Sequence, residues 1–154
     1  MKPWIWLRLA AALQAFGTVG HTLATASSEP TYGAGEQAVF DAMRSFHFTI
    51  MGSTRSHWDF YRGYQFSTTV SFLLLVALLW LLSNLSRVAP RAARPMVIAI
   101  FIAQIATVIL GWTFFFAGPG IVGSLITLCL AIAVIGLHGG DRDAVASTLG
   151  ESHR

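Results

Sequence analysis

The chain has 154 residues, 55% of them apolar and only 11% charged, with a mean hydropathy of +0.62. A soluble domain carries about twice that share of charge, which excludes a soluble globular enzyme, a nucleic-acid-binding domain and a disordered chain. The net charge of +3 and pI near 9.6 do not imply an acidic partner, because the basic residues sit mostly in loops that face a membrane. One cysteine, Cys129, lies inside an apolar run, so there is no disulfide framework, CxxC pair or thiolate metal site. This is the composition of a small polytopic membrane protein.

Four apolar runs of about 20 residues are each long enough, at 1.5 Å per residue, to cross a hydrocarbon core of roughly 30 Å. The first covers residues 4–24 and is interrupted by Arg8, Gln14, Thr18 and His21. The second, residues 64–84, contains the unbroken stretch from Phe72 to Trp80. The third is 96–116, and the fourth, 121–138, begins just after Gly118-Pro119-Gly120. That breaker is so short that spans three and four must form an antiparallel hairpin. The expected fold class is all-α: a four-helix transmembrane bundle forming one domain, residues 1–138.

Lys and Arg set the orientation. Lys2 and Arg8 lead the chain, and Arg87, Arg91 and Arg94 lie between spans two and three with no acid. The loop before span two balances Arg44, Arg55 and Arg62 against Glu29, Glu36, Asp41 and Asp59. The positive-inside rule then places both termini in the cytoplasm and residues 25–63 on the outer side, as in a bacterial inner membrane. Trp4, Trp6, Trp80 and Trp112 fall near the span ends, as an aromatic belt requires. A second reading of the first span is a cleavable secretory signal ending at Ala24-Thr25-Ala26; Arg8 and the stripe of Gln14, Thr18 and His21 argue against it.

Between spans one and two the chain opens with a turn-rich stretch from Ser27 to Gly35. From Glu36, the residues Phe40, Met43, His47, Ile50 and Met51 recur at helical spacing, which predicts an amphipathic outer helix over 36–51. Gly52-Ser53-Thr54 ends it. The C-terminal residues 139–154 mix acids, Arg142 and small residues and read as a flexible cytoplasmic tail.

The densest cluster of polar and aromatic side chains runs from Arg55 to Gln65. If span two extends outward as a helix, Arg55, Asp59 and Arg62 share one side and His57, Tyr61, Tyr64 and Gln65 an adjacent one. His21, His47 and Trp112 reach the same level from other segments. The candidate ligand-binding set is therefore His21, His47, Arg55, His57, Asp59, Tyr61, Arg62, Tyr64, Gln65 and Trp112. Asp59 with Arg55 or Arg62 also reads simply as an ion pair at the start of span two. Polar stripes on all four spans, such as Gln14, Gln104 and Thr127, read first as packing between helices, and as the lining of a narrow cavity in the alternative.

Imidazole exchanges protons near neutral pH, so His21 and His57, oriented by Asp59, are the catalytic candidates. His21 with His57 or His47 is the only pair at one depth that suits bis-histidine haem ligation. No metal set at diagnostic spacing is present, and no GxSxG, HExxH, P-loop or GxGxxG pattern occurs.

Gly20-His21-Thr22-Leu23, then Met51-Gly52-Ser53-Thr54-Arg55 before Trp58-Asp59-Phe60-Tyr61, and Gly63 opening a Leu-rich run to Trp80 carry a resemblance. Through them the chain resembles a family of uncharacterised small bacterial four-span inner-membrane proteins. It is more loosely similar to DoxX-like proteins and to the sterol-isomerase and sigma-2-receptor group of four-helix membrane proteins. That likeness implies a bundle with an apolar ligand cavity, and in the isomerases an acid–base step on a carbocation. The spans here hold no paired acidic residues, a departure from the isomerase pattern. The leading expectation is a protein binding a membrane lipid or small apolar ligand (lipid, quinone or isoprenoid) under the outer cluster. An isomerase-like enzyme and a subunit of a larger membrane complex, or of a homo-oligomer, are the alternatives.

Overall fold

The computed structural model describes residues 2–26 and 32–151, with side chains to residue 138. Five helices and one hairpin follow in chain order: α1 (Pro3–Ala26), α2 (Ala34–Ser45), β1 (His47–Ile50), β2 (Ser53–Ser56), α3 (His57–Val88), α4 (Pro90–Phe114) and α5 (Ala117–Glu151). The all-α class stands, with a two-stranded addition that the helical spacing did not predict. Residues 27–31, most of the expected turn-rich stretch, and 152–154 of the expected tail lie outside the described residues.

Two compact units divide the chain, residues 1–17 with 73–154, and residues 18–72. In the first, one apolar cluster takes Leu7, Ala10 and Ala11 from α1, Leu79 and Leu82 from α3, Val97 from α4, and Ile126, Cys129, Leu130, Ala133 and Leu137 from α5. Small residues let the backbones approach: a Cβ on Gly17 would stand 3.5 Å from Val122, and one on Gly136 3.5 Å from Pro3. Polarity is inverted relative to a soluble core. Gln14, Thr18, Ser83, Ser86 and Gln104 are buried, whereas Phe16, Leu73, Leu74, Ile102, Ile109 and Leu128 are exposed. Helices bathed in hydrocarbon turn their polar groups toward each other in this way.

Among the described residues three helices are long and apolar enough to cross a membrane: α3, α4, and α5 as far as His138. The chain is in that sense a membrane protein. The first expected span is not among them. The 24 residues of α1, which contain it, suffice in length, but Arg8, Gln14, Thr18 and His21 dilute its apolarity.

The helices also outrun the apolar runs. α3 begins at His57, seven residues before the expected Tyr64, and α4 begins at Pro90, where a proline at the first helical position costs no hydrogen bond. The turn between α4 and α5 falls at Phe115 and Phe116, the former extended at φ −121°, and not at Gly118-Pro119-Gly120. Those three residues form the first turn of α5, where proline's missing N–H would have no helical partner in any case. The α5 helix also continues beyond the exit expected at His138.

In the second unit α2 is amphipathic and buries no residue. The expected helix over 36–51 ends at Ser45, because Phe46 turns extended and His47–Ile50 pairs antiparallel with Ser53–Ser56, His47 opposite Ser56. Met51 and Gly52 form the two-residue turn with φ of 51° and 81°. Positive φ at both positions is the turn geometry whose twist matches paired strands.

Candidate functional site

The α3 helix starts on a reciprocal cap. The Asp59 carboxylate accepts from the Ser56 amide at 2.8 Å and from its hydroxyl at 3.0 Å, while the Ser56 oxygen accepts from the Asp59 amide at 3.2 Å. Two donors that a helix start leaves orphaned are thereby satisfied. The Ser56 amide, then its hydroxyl, hold the Asp59 carboxyl below its ordinary value, and the nearby Arg55 charge adds to this against partial desolvation. The ion pair expected for Asp59 is replaced by this cap. Arg55 donates to the Thr54 carbonyl at 2.7 Å, and Arg62 turns elsewhere. The signal for the cap, Ser-x-x-Asp before an apolar run, stands in the sequence at Ser56-His57-Trp58-Asp59.

Three groupings replace the single expected cluster. His21, Arg62 and Gln65 stitch α1 to α3. His21 Nε2 donates to the Gln65 carbonyl at 3.2 Å, with its ring edge-on to Phe72 at 5.4 Å. Arg62 donates to the Thr25 carbonyl in the last turn of α1 and to Gln65 Oε1 at 3.1 Å. A cation on these terminal carbonyls complements the negative end of the α1 dipole. Thr22 and Thr69 meet across the same seam at 3.5 Å.

An aromatic knot fixes the hairpin and α2 on the start of α3. His57 stacks on Phe46 with centroids 5.6 Å apart and planes 11° from parallel, and Phe48 reaches both His57 and Phe60 at 5.0 and 5.5 Å. Trp58 lies between Phe40 and Tyr61 at 5.1 and 5.5 Å, with the Arg44 guanidinium 4.4 Å above its ring. Edge and offset contacts of this kind add to plain burial. His47 donates from Nδ1 to the Ser45 carbonyl at 2.9 Å. Phe46, Phe48 and Ser56, absent from the sequence-derived set, are what organise this region.

A shallow groove is the third grouping. It has a volume of about 340 Å³ and is lined by Arg55, Asp59, Phe60, Gly63, Tyr64 and Ser67. A Cβ at Gly63 would meet nothing within 4 Å, so the groove's middle is bare backbone. Tyr64 is largely exposed, with its ring 6.5 Å from Phe60. This surface offers a forked donor, a carboxylate and a phenol against an aromatic wall, chemistry suited to gripping a polar group attached to an apolar body.

Trp112 belongs to the hairpin of α4 and α5, where its Nε1 donates to Ser124 Oγ at 3.2 Å. Of the sequence-derived set, then, Arg55, Asp59 and Tyr64 share the groove, His21, Arg62 and Gln65 form the seam, and His57 and Tyr61 are held by aromatic neighbours. Among the described residues no three His, Cys, Asp or Glu side chains converge as a metal centre would need. No family model, curated protein or solved structure matches the chain.

Proposed function

We propose that the chain is a four-span membrane protein that holds a small amphipathic molecule, of lipid, quinone or isoprenoid type, with its polar end on the outward extension of α3. The groove carries this reading. It sets Arg55, Asp59 and Tyr64 beside Phe60 and ends at Ser67, and one turn beyond Ser67 lies the exposed Val70. The 32 residues of α3 measure about 48 Å against a hydrocarbon core of roughly 30 Å, so about a third of the helix extends beyond the apolar layer. With residues 64–84 as the apolar stretch, the first two turns fall at headgroup level, where a ligand's head would sit.

The fourth crossing in this proposal is α1. In support, its polar Gln14 and Thr18 are buried at 5% and 4% exposure while Phe16, Val19 and Leu23 are open at 58–71%, an inside-out pattern that only a lipid surround makes favourable. The charge asymmetry of the loops supports cytoplasmic termini, with α2 and the hairpin outside. An acid–base enzyme draws no comparable support, since His21 is committed to a main-chain carbonyl and Asp59 to a helix cap.

Native mass spectrometry of the full chain, with organic extraction of what it retains, tests the proposal. One discrete mass held at fixed stoichiometry, and lost from the variant Arg55→Gln/Tyr64→Ala, is the expected result. A bare chain, or a ligand population indifferent to that variant, overturns it and favours the subunit of a larger complex.

A further inference from the structure

Independently of the groove, we propose that the seam between the N-terminal part of α1 and the C-terminal end of α3 is a phosphate site, occupied by the headgroup of an anionic phospholipid. Two guanidiniums lie against the Trp4 ring there. The Arg8 Cζ lies 5.1 Å from the Trp4 ring centre and 5.0 Å from that of Trp80, and the Arg87 Cζ lies 5.2 Å from the same Trp4 ring. Arg8 donates one bond, to Asn84 Oδ1 at 3.3 Å. Its Nε–H is buried and has no acceptor. Neither guanidinium has a carboxylate within ion-pair distance among the described residues.

Two like charges sharing one indole repel, more strongly at the edge of a low-dielectric slab than in water. A buried donor with no acceptor carries its full desolvation cost. Indole faces offset part of the charge but supply no acceptor for the in-plane N–H groups. A phosphodiester supplies acceptors for the outer N–H groups and a charge that answers two cations, while the buried Nε–H stays out of its reach. Two tryptophans at one level mark the headgroup layer, where basic pockets between helices hold anionic lipid heads. Free phosphate presents the same oxygens and the same charge, and the test separates the two sources.

The full chain is purified in detergent and titrated with phosphatidylglycerol or phosphatidylcholine, and bound lipid is counted by native mass spectrometry. The expected result is one phosphatidylglycerol per chain, retained under activation that strips phosphatidylcholine. Arg87→Gln, at an exposed side chain with no hydrogen bond among the described residues, should weaken retention about fivefold, the worth of one basic contact at a membrane surface. Arg8→Lys should weaken it too, because an ammonium cannot fork. The charge-matched Arg91→Gln should retain the lipid. Displacement by an equal concentration of inorganic phosphate assigns the same site to free phosphate; resistance to it assigns the site to the lipid head. Equal retention of both lipids, or equal loss in Arg91→Gln and Arg87→Gln, overturns the proposal.

Discussion

The hairpin of α4 and α5 packs the Trp112 ring against Gly120, and replacing that glycine with alanine gives a quantitative test of the packing. A Cβ there would lie 2.7 Å from both Cδ2 and Cε2 of Trp112, about 0.7 Å inside the 3.4 Å at which ordinary contact begins. The ring cannot swing away freely, because its Nε1 is tied to Ser124, whose hydroxyl is in turn tied to the Gly120 carbonyl. Overpacking of this size costs about 1–3 kcal/mol, offset by about 0.5–1 kcal/mol from the better helix propensity of alanine. The net expectation is a destabilisation of about 1–2 kcal/mol. Gly111, on the facing helix, is the internal control: its Cβ would stand 3.8 Å from Gly120, ordinary contact, so Gly111→Ala should be neutral or slightly stabilising. Cys129, the chain's single cysteine and buried in the shared core, supplies the assay, since a maleimide labels it only when the core opens. Labelling of Gly120→Ala should run roughly 5- to 30-fold faster than wild type at equal temperature. Equal labelling rates for the two alanine variants would refute the packing argument.

Three further outcomes follow from other parts of the molecule. Met51→Asn should stabilise the hairpin by about 1 kcal/mol, because asparagine tolerates the positive φ that methionine holds at a cost; slower amide exchange in β1 and β2 is the readout. The depressed Asp59 carboxyl makes the start of α3 pH-sensitive in one direction. Its contribution is complete above the ordinary value of 3.8 and is lost as pH falls through the lower folded value, so exchange at Ser56 and Asp59 should quicken only in acid, and Asp59→Asn should abolish that dependence. Arg62→Gln should fray the last turn of α1 by about 1 kcal/mol, seen as faster exchange confined to residues 22–26, with the aromatic knot untouched.

The outer cluster shows where reading along one chain stops. Spacing puts Arg55 and Asp59 on one side of a helix, but Arg55 stands on β2 and α3 begins only at His57; the two share the groove across the strand-to-helix junction, a meeting that spacing does not give. Arg62, one turn on, turns to α1 instead, because the unsatisfied Thr25 carbonyl is there to receive it. The cap of Ser56 and Asp59 is different: it is local, and its pattern was legible. Phe46 and Phe48 were not, since their partners His57 and Phe60 lie across a turn that helical spacing does not anticipate.

Composition and run length by themselves determine that this chain is helical and membrane-bound, because hydrocarbon leaves few ways to satisfy a backbone and about 20 apolar residues are needed to cross it. The segment 46–56 was decided by tertiary structure. Short apolar runs fit a helix or a strand about equally well, and aromatic side chains on the two sides of the turn chose the strand by packing against one another. In the same way three separate groupings, rather than one, emerged from a single polar cluster, because each side chain took the nearest partner that folding brought to it.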